Sequence, residues 1–152
     1  SFPTRRSSDL PGPGLPPQAG KLMEVVAAAL DQKIPLLGVC LGMQALAIHA
    51  GDEVYNQQLV KHGLAEEMHL TGTDSLFYTG IPESIEVGLY HSWAVRLHPA
   101  SPFKPTAYSV SGVLMSMEIP ERKIYAVQFH PESILTPSGL KMIENFVAIV
   151  CK

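Results

Sequence analysis

The sequence predicts an α/β fold, a mostly parallel sheet flanked by helices, and two strand-turn-helix passages carry that prediction. The first is residues 34–39, Ile-Pro-Leu-Leu-Gly-Val, a short apolar run suited to a buried parallel strand. A helical pattern over 41–50 comes next and stops at Gly51. The second is residues 124–129, Ile-Tyr-Ala-Val-Gln-Phe, followed by a helix over 138–150 with Leu140, Ile143, Phe146, Val147 and Val150 at helical spacing. A third observation is the mixed middle of the chain. Segments 53–59, 86–90, 94–97, 107–110, 113–118 and 124–128 are separated by turn residues such as Gly72-Thr73-Asp74 and Ile81-Pro82-Glu83. They predict short strands, partly antiparallel, that add a smaller antiparallel section. In such a fold the active site lies at the carboxyl ends of the strands.

The remaining elements are taken in chain order. Residues 1–10, SFPTRRSSDL, are polar, hold two adjacent arginines and share no periodicity with the residues after them. Their letters match one reading frame of a widely used sequencing adapter, so they are read as a non-native tail, with 11–152 as a single domain. Residues 11–20 hold four prolines and three glycines and predict a loop. Residues 21–32 predict a helix, with Leu22, Val25, Val26, Ala29 and Leu30 on one face. Pro35 stands at the start of the strand after it, where a missing donor is tolerated.

Bulk properties bound the function. A chain of 152 residues with 46% apolar composition builds one core. Its mean hydropathy is +0.14. The net charge of −3 comes from 11 basic and 14 acidic residues without long runs, which gives no footprint for nucleic acid or an anionic membrane. The partner is expected to be a small molecule or another protein. No apolar stretch approaches the roughly 20 residues of a membrane span, and no secretory signal is visible, so a cytoplasmic location is expected. The two cysteines, Cys40 and Cys151, do not make a disulfide framework. Cys151 reads as a bystander.

Cys40 sits in Gly38-Val39-Cys40-Leu41-Gly42, between a strand and a helix. This pattern resembles a nucleophile elbow, in which a tight turn projects the side chain above the sheet. Helix N-termini favour the thiolate, and the amide of the following residue, Leu41, points where an oxyanion forms. Taken alone, a small residue at such a junction can simply be packing. Phe129-His130-Pro131-Glu132 comes just after the last strand. His130 suits a base that becomes an acid, because an imidazole changes charge near neutral pH. Glu132 suits the carboxylate that fixes its tautomer, on a turn stiffened by Pro131. The glycines of Pro11-Gly12-Pro13-Gly14 permit close backbone approach to a ligand, and one amide there can supply a second oxyanion donor; a plain linker turn is the alternative.

Together, GVCLGMQ, QFHPES and PGPG resemble the class I glutamine amidotransferases, a flavodoxin-like fold, from Pro11 to the C-terminus. His130-Pro131-Glu132-Ser133 with the following Ile134 to Gly139, and Tyr90-His91-Ser92-Trp93, are similar to the glutaminase component (component II) of anthranilate synthase or of aminodeoxychorismate synthase. Carbamoyl-phosphate synthase small chains and GMP synthase share the triad but resemble these flanks less.

The resemblance implies a Cys40-His130-Glu132 triad, an oxyanion hole from the amides of Gly12 and Leu41, and glutamine contacts at Gly12, Gly14, Gln44, Ser92 and Trp93. Many relatives carry leucine where Trp93 stands, so only a backbone role carries over there. It implies no cofactor and no metal in this half-reaction, with ammonia passed to a chorismate-binding synthase subunit (component I). The product is then anthranilate, for tryptophan, or aminodeoxychorismate, for folate; an inactive truncated fragment is the rival from another class. Family members carry a strand, a helix and further strands before the PGPG loop, so the N-terminal strands are expected to be missing and the sheet to expose an apolar edge. His49, His69 and His98 have no second ligand at metal spacing and are read as surface or packing residues. His62 and His91 lie in segments the family uses near its partner or substrate.

Overall fold

The structure is a computed structural model that describes residues 21–72 and 74–152. Chain order is helix α1 (Leu22–Asp31), strand β1 (Leu36–Val39), helix α2 (Leu41–His49), then strands β2 (Glu53–Leu70), β3 (Ser84–Arg96), β4 (Lys104–Ser109), β5 (Leu114–Ile119) and β6 (Ile124–Val127), and finally helix α3 (Gly139–Val150). The sheet order is β1-β6-β5-β4-β2-β3. No helix among the described residues is long and apolar enough to cross a membrane.

The α/β class holds, and the strand-turn-helix passage at Cys40 falls within two residues of its predicted limits. The proportion of parallel strands does not hold. Among the described residues β1 and β6 form a parallel pair, and every other ladder is antiparallel. Parallel neighbours need a long crossover, which the passage from β1 to β6 supplies across the rest of the sheet. From β2 to β6 the ladders β2–β3, β4–β5 and β5–β6 join consecutive strands and are antiparallel, whereas β3 and β4 each pair antiparallel with β2 from opposite sides and so run in the same direction. The predicted loop 11–20, the tail 1–10, Gly12 and Gly14 lie outside the described residues.

Several predicted short strands are parts of longer ones. β2 runs continuously through the predicted 53–59, and β3 joins 86–90 to 94–97. Their ladder slips between Asn56 and Lys61 and again between His62 and Leu64. Gln58 (φ 64°) and Gly63 (φ 67°) take left-handed backbone there. Such bulges break the period-2 alternation by which a strand is recognised.

β6 shows how the layers are built. It is buried on both faces: Tyr125 and Val127 join a core with Phe77, Leu89, Phe129 and Met142, whereas Ile124 and Ala126 join one with Val26, Met43, Leu46 and Met117. Helix α3 therefore covers one face and α1 with α2 the other. α3 is also tied by Asn145, whose Nδ2 donates to the carbonyls of Phe77 and Thr79, 2.9 Å each.

Gly38 sets how closely α2 approaches β1. A Cβ there would stand 2.8 Å from Leu46 Cδ1 and 2.9 Å from the Gly42 carbonyl, whereas one on Gly42 meets nothing within 4 Å among the described residues. Gly38→Ala is therefore expected to destabilise the fold by about 1–3 kcal/mol, with Gly42→Ala close to neutral. Urea unfolding of the two variants checks this, and equal midpoints would contradict it.

Candidate active site

The parallel pairing of β1 with β6 fixes the site. Val39 pairs with Val127, and the Cys40 amide continues the ladder by donating to the Val127 carbonyl at 2.8 Å. Cys40 thus emerges from the carboxyl end of β1 beside the carboxyl end of β6. It caps α2 with φ 54° and ψ −103°. Cys40 itself takes the left-handed backbone of the tight turn, and the flanking Gly38 and Gly42 do not. A non-glycine residue held there stores strain of the order of 1–3 kcal/mol and is a mark of functional turns.

His130 and Glu132 sit on the turn after β6. Glu132 Oε1 lies 2.6 Å from His130 Nδ1; the carboxylate accepts, so Nδ1 is the donor, and in the neutral ring Nε2 is the atom that bears the lone pair. Cys40, Leu41, Tyr90, His130, Glu132 and Ser133 share the wall of one cavity of about 680 Å³. The structure therefore brings the predicted triad to one place.

Burial acts against the thiolate. Cys40 is 4% exposed. Its thiol is pushed up to about 11, chiefly by desolvation, with the Glu132 charge adding to it, while hydrogen bonds from the Leu41 amide and the Gln128 side chain pull the other way. The helix N-terminus does not outweigh the dry surroundings, and the resting group is a neutral thiol that donates to the Tyr90 carbonyl at 3.9 Å. Nucleophilic attack then requires a base, and the Nε2 lone pair of His130 is the suitable one in this cavity.

Residues without an assigned role in the sequence hold His130 in place. The His130 amide donates to the Gly88 carbonyl at 3.1 Å, and Thr136 Oγ1 donates to the His130 carbonyl at 2.7 Å while accepting from the Gly88 amide at 2.9 Å. Tyr90 packs its ring against the imidazole edge to face, centroids 5.1 Å apart. Two glycines make this docking possible. A Cβ on Gly88 would come within 2.8 Å of Leu135 Cβ, and one on Gly139 would overlap the Pro131 carbonyl. These glycines stand in a strand and at a helix start, and only the three-dimensional approach shows what they are for.

Gln44, Ser92 and Trp93 are assembled behind Cys40. Gln44 Nε2 donates to the Trp93 carbonyl at 3.0 Å and faces Gln128 Oε1 at 3.3 Å, and His91 Nδ1 donates to the same carbonyl at 2.8 Å. Ser92 is buried in β3. Burial also lowers the His91 pKa, so its ring is neutral. His62 packs edge to face on Tyr90, His69 Nδ1 pairs with Ser84 Oγ at 2.6 Å, and His98 Nδ1 accepts from the Ala100 amide at 3.0 Å. His49 ends α2. Among the described residues no group of three or more His, Cys, Asp or Glu side chains is placed to hold a metal ion.

The family model for glutamine amidotransferase class-I matches residues 10–150. The chain belongs to that family. As a glutamine amidotransferase it is an enzyme, and its relatives narrow the type. It is 39% identical to anthranilate synthase component II of Haloarcula marismortui, the match covering 93% of this chain and 74% of the relative. It is 37% identical to aminodeoxychorismate synthase of Streptomyces griseus over 90% of this chain and 18% of that much longer protein. The solved structure of a Thermoplasma acidophilum protein, provisionally named as part of a GMP synthase, superposes with a TM-score of 0.79 at 28% identity, covering 97% of this chain and 78% of that one.

The cysteines of this amidotransferase should differ sharply toward iodoacetamide. Exposed Cys151 is expected to react first near neutral pH, with Cys40 gaining reactivity only toward its raised pKa of about 11. Peptide mapping across a pH series reads both, and a Cys40 midpoint at or below the ordinary 9.0 would contradict the assignment.

Proposed function

We propose that this amidotransferase hydrolyses glutamine through Cys40, His130 and Glu132 and supplies the ammonia to a chorismate-using synthase subunit that makes anthranilate. The observation that carries the chemistry is the shared cavity, with Cys40 on a left-handed turn and His130 Nδ1 bound to Glu132 at 2.6 Å. The steps derive from it. Sγ attacks the side-chain carbonyl carbon of glutamine as the thiol proton passes to His130 Nε2. The Leu41 amide, which faces Sγ before attack, and the Gly12 amide hold the oxyanion. The intermediate collapses by expelling ammonia, which takes the proton from His130. A γ-glutamyl thioester remains, His130 activates water against it, and glutamate leaves as the thiol reforms. Glu132 keeps the imidazole in its working tautomer throughout.

The substrate is held, in this reading, by the Ser92–Trp93 backbone, Gln44 and the loop at Gly12 and Gly14. Gln44 Oε1 is buried and has no partner among the described residues, next to the contact its Nε2 makes with Gln128. No cofactor enters, because thiol, imidazole and carboxylate suffice for amide hydrolysis. A cytoplasmic setting suits a reaction that needs Cys40 as a free thiol.

The partner is inferred from the Haloarcula component II, and the Streptomyces relative supports a second reading, the same glutaminase role in aminodeoxychorismate synthesis. Glutamate release by the purified chain, by itself and with each kind of synthase partner, tests the proposal. Cys40→Ser is expected to abolish release. His130→Ala should lower kcat by about 10²–10⁴-fold. Equal rates from wild type and Cys40→Ser would overturn the catalytic reading, and stimulation of glutamate release by only the folate-type partner would select the second reading.

A further inference from the structure

We propose that the Gln128 side-chain amide is a built-in donor to the Cys40 thiolate, held in that orientation by Gln44, and that this relay tunes how readily the nucleophile forms. The proposal rests on the reading of Cys40 as nucleophile and adds a residue to it.

Gln128 directly follows β6, and its side chain is completely buried. Its Nε2 lies 3.5 Å from Cys40 Sγ, and its Oε1 faces Gln44 Nε2 at 3.3 Å. The polarity of this chain is fixed from its far end. The Trp93 carbonyl can only accept, so Gln44 must turn its nitrogen toward it. The same nitrogen then confronts Gln128, which must answer with its oxygen. The Gln128 nitrogen is left facing the sulfur. A backbone carbonyl two side chains away thus dictates that Cys40 meets a donor.

The arrangement is poorly used at rest and well used during reaction. A buried primary amide needs strong partners, and a neutral thiol sulfur is a weak acceptor. A thiolate is a strong one. The hydrogen bond therefore strengthens as charge develops on Sγ, the differential stabilisation that accelerates a chemical step. The same direction is visible in Cys40 itself, whose thiol is lowered by Gln128 against the larger upward push of burial and the Glu132 charge. A residue needed for packing alone would be satisfied by an apolar side chain of equal length.

Gln128→Met keeps the length and removes the donor. In a Cys151→Ser background, the rate of Cys40 carboxymethylation at a fixed pH below its midpoint follows the thiolate fraction. Gln128→Met is expected to slow it by roughly five- to tenfold, close to one pKa unit. Gln44→Met, which frees the Gln128 amide to turn, should slow it by less. In glutamine hydrolysis the Gln128→Met loss should fall on kcat with KM nearly unchanged.

A reading on the unmutated side chains guards against misfolded variants: the side-chain NH₂ resonances of Gln128 should shift with pH in step with Cys40 labelling. Unchanged labelling in a folded Gln128→Met protein, or NH₂ resonances indifferent to Cys40 ionisation, would overturn the relay. Neither measurement uses glutamine, so glutaminase activity persisting in Cys40→Ser would defeat the nucleophile assignment and leave the relay result separately legible.

Discussion

Everything at this site depends on the in-register parallel pairing of two four-residue strands. Leu36 to Val39 align with Ile124 to Val127, so both strands end at the same level, and the next residues, Cys40 and Gln128, leave the sheet side by side. The Cys40 amide spends its hydrogen bond on the Val127 carbonyl, which extends the ladder into the turn and holds the strained backbone. A slip of one residue would exchange the faces of β6 and break both cores at once, because Tyr125 and Val127 serve one and Ile124 and Ala126 the other. The hydrophobic pattern thereby protects the register, and the register places the thiol.

The second support is the docking of the 130–139 turn on β3. Gly88, Thr136 and Gly139 bring the His130 backbone against the sheet at distances a side chain on either glycine would forbid. This contact fixes the imidazole from its backbone side, while Glu132 and Tyr90 fix it from the ring. Cys40 and His130 therefore follow different strands but share one rigid frame, which holds both side chains at the wall of the same cavity. Dryness completes the arrangement: it keeps the thiol protonated at rest and raises the worth of every donor aimed at it.

Much of this is legible in the sequence because it is local. The turn at Cys40 follows from a short apolar strand, a small-residue junction and a helical pattern, and His130 with Glu132 follows from the next such passage. The rest is non-local. β2 reads as a fragment because bulges at Gln58 and Gly63 interrupt its alternation, and β3 because its middle is buried on both faces and does not alternate. The balance of parallel and antiparallel strands escapes the sequence because pairing depends on connections, which periodicity does not report. Gln128 stands in full view inside QFHPES, yet a glutamine at the end of a buried strand reads as part of the strand. Its role emerges only when Gln44, forty-nine residues from Trp93, closes the chain of donors.

The central claim is that glutamine passes through a covalent bond to Cys40. Acid quenching during turnover, followed by mass analysis of the Cys40 peptide, tests it most directly. A γ-glutamyl group is expected on Cys40, absent in Cys40→Ser and absent from Cys151. Steady glutamate formation with Cys40 unmodified at every quench time, together with undiminished turnover in Cys40→Ser, would contradict it.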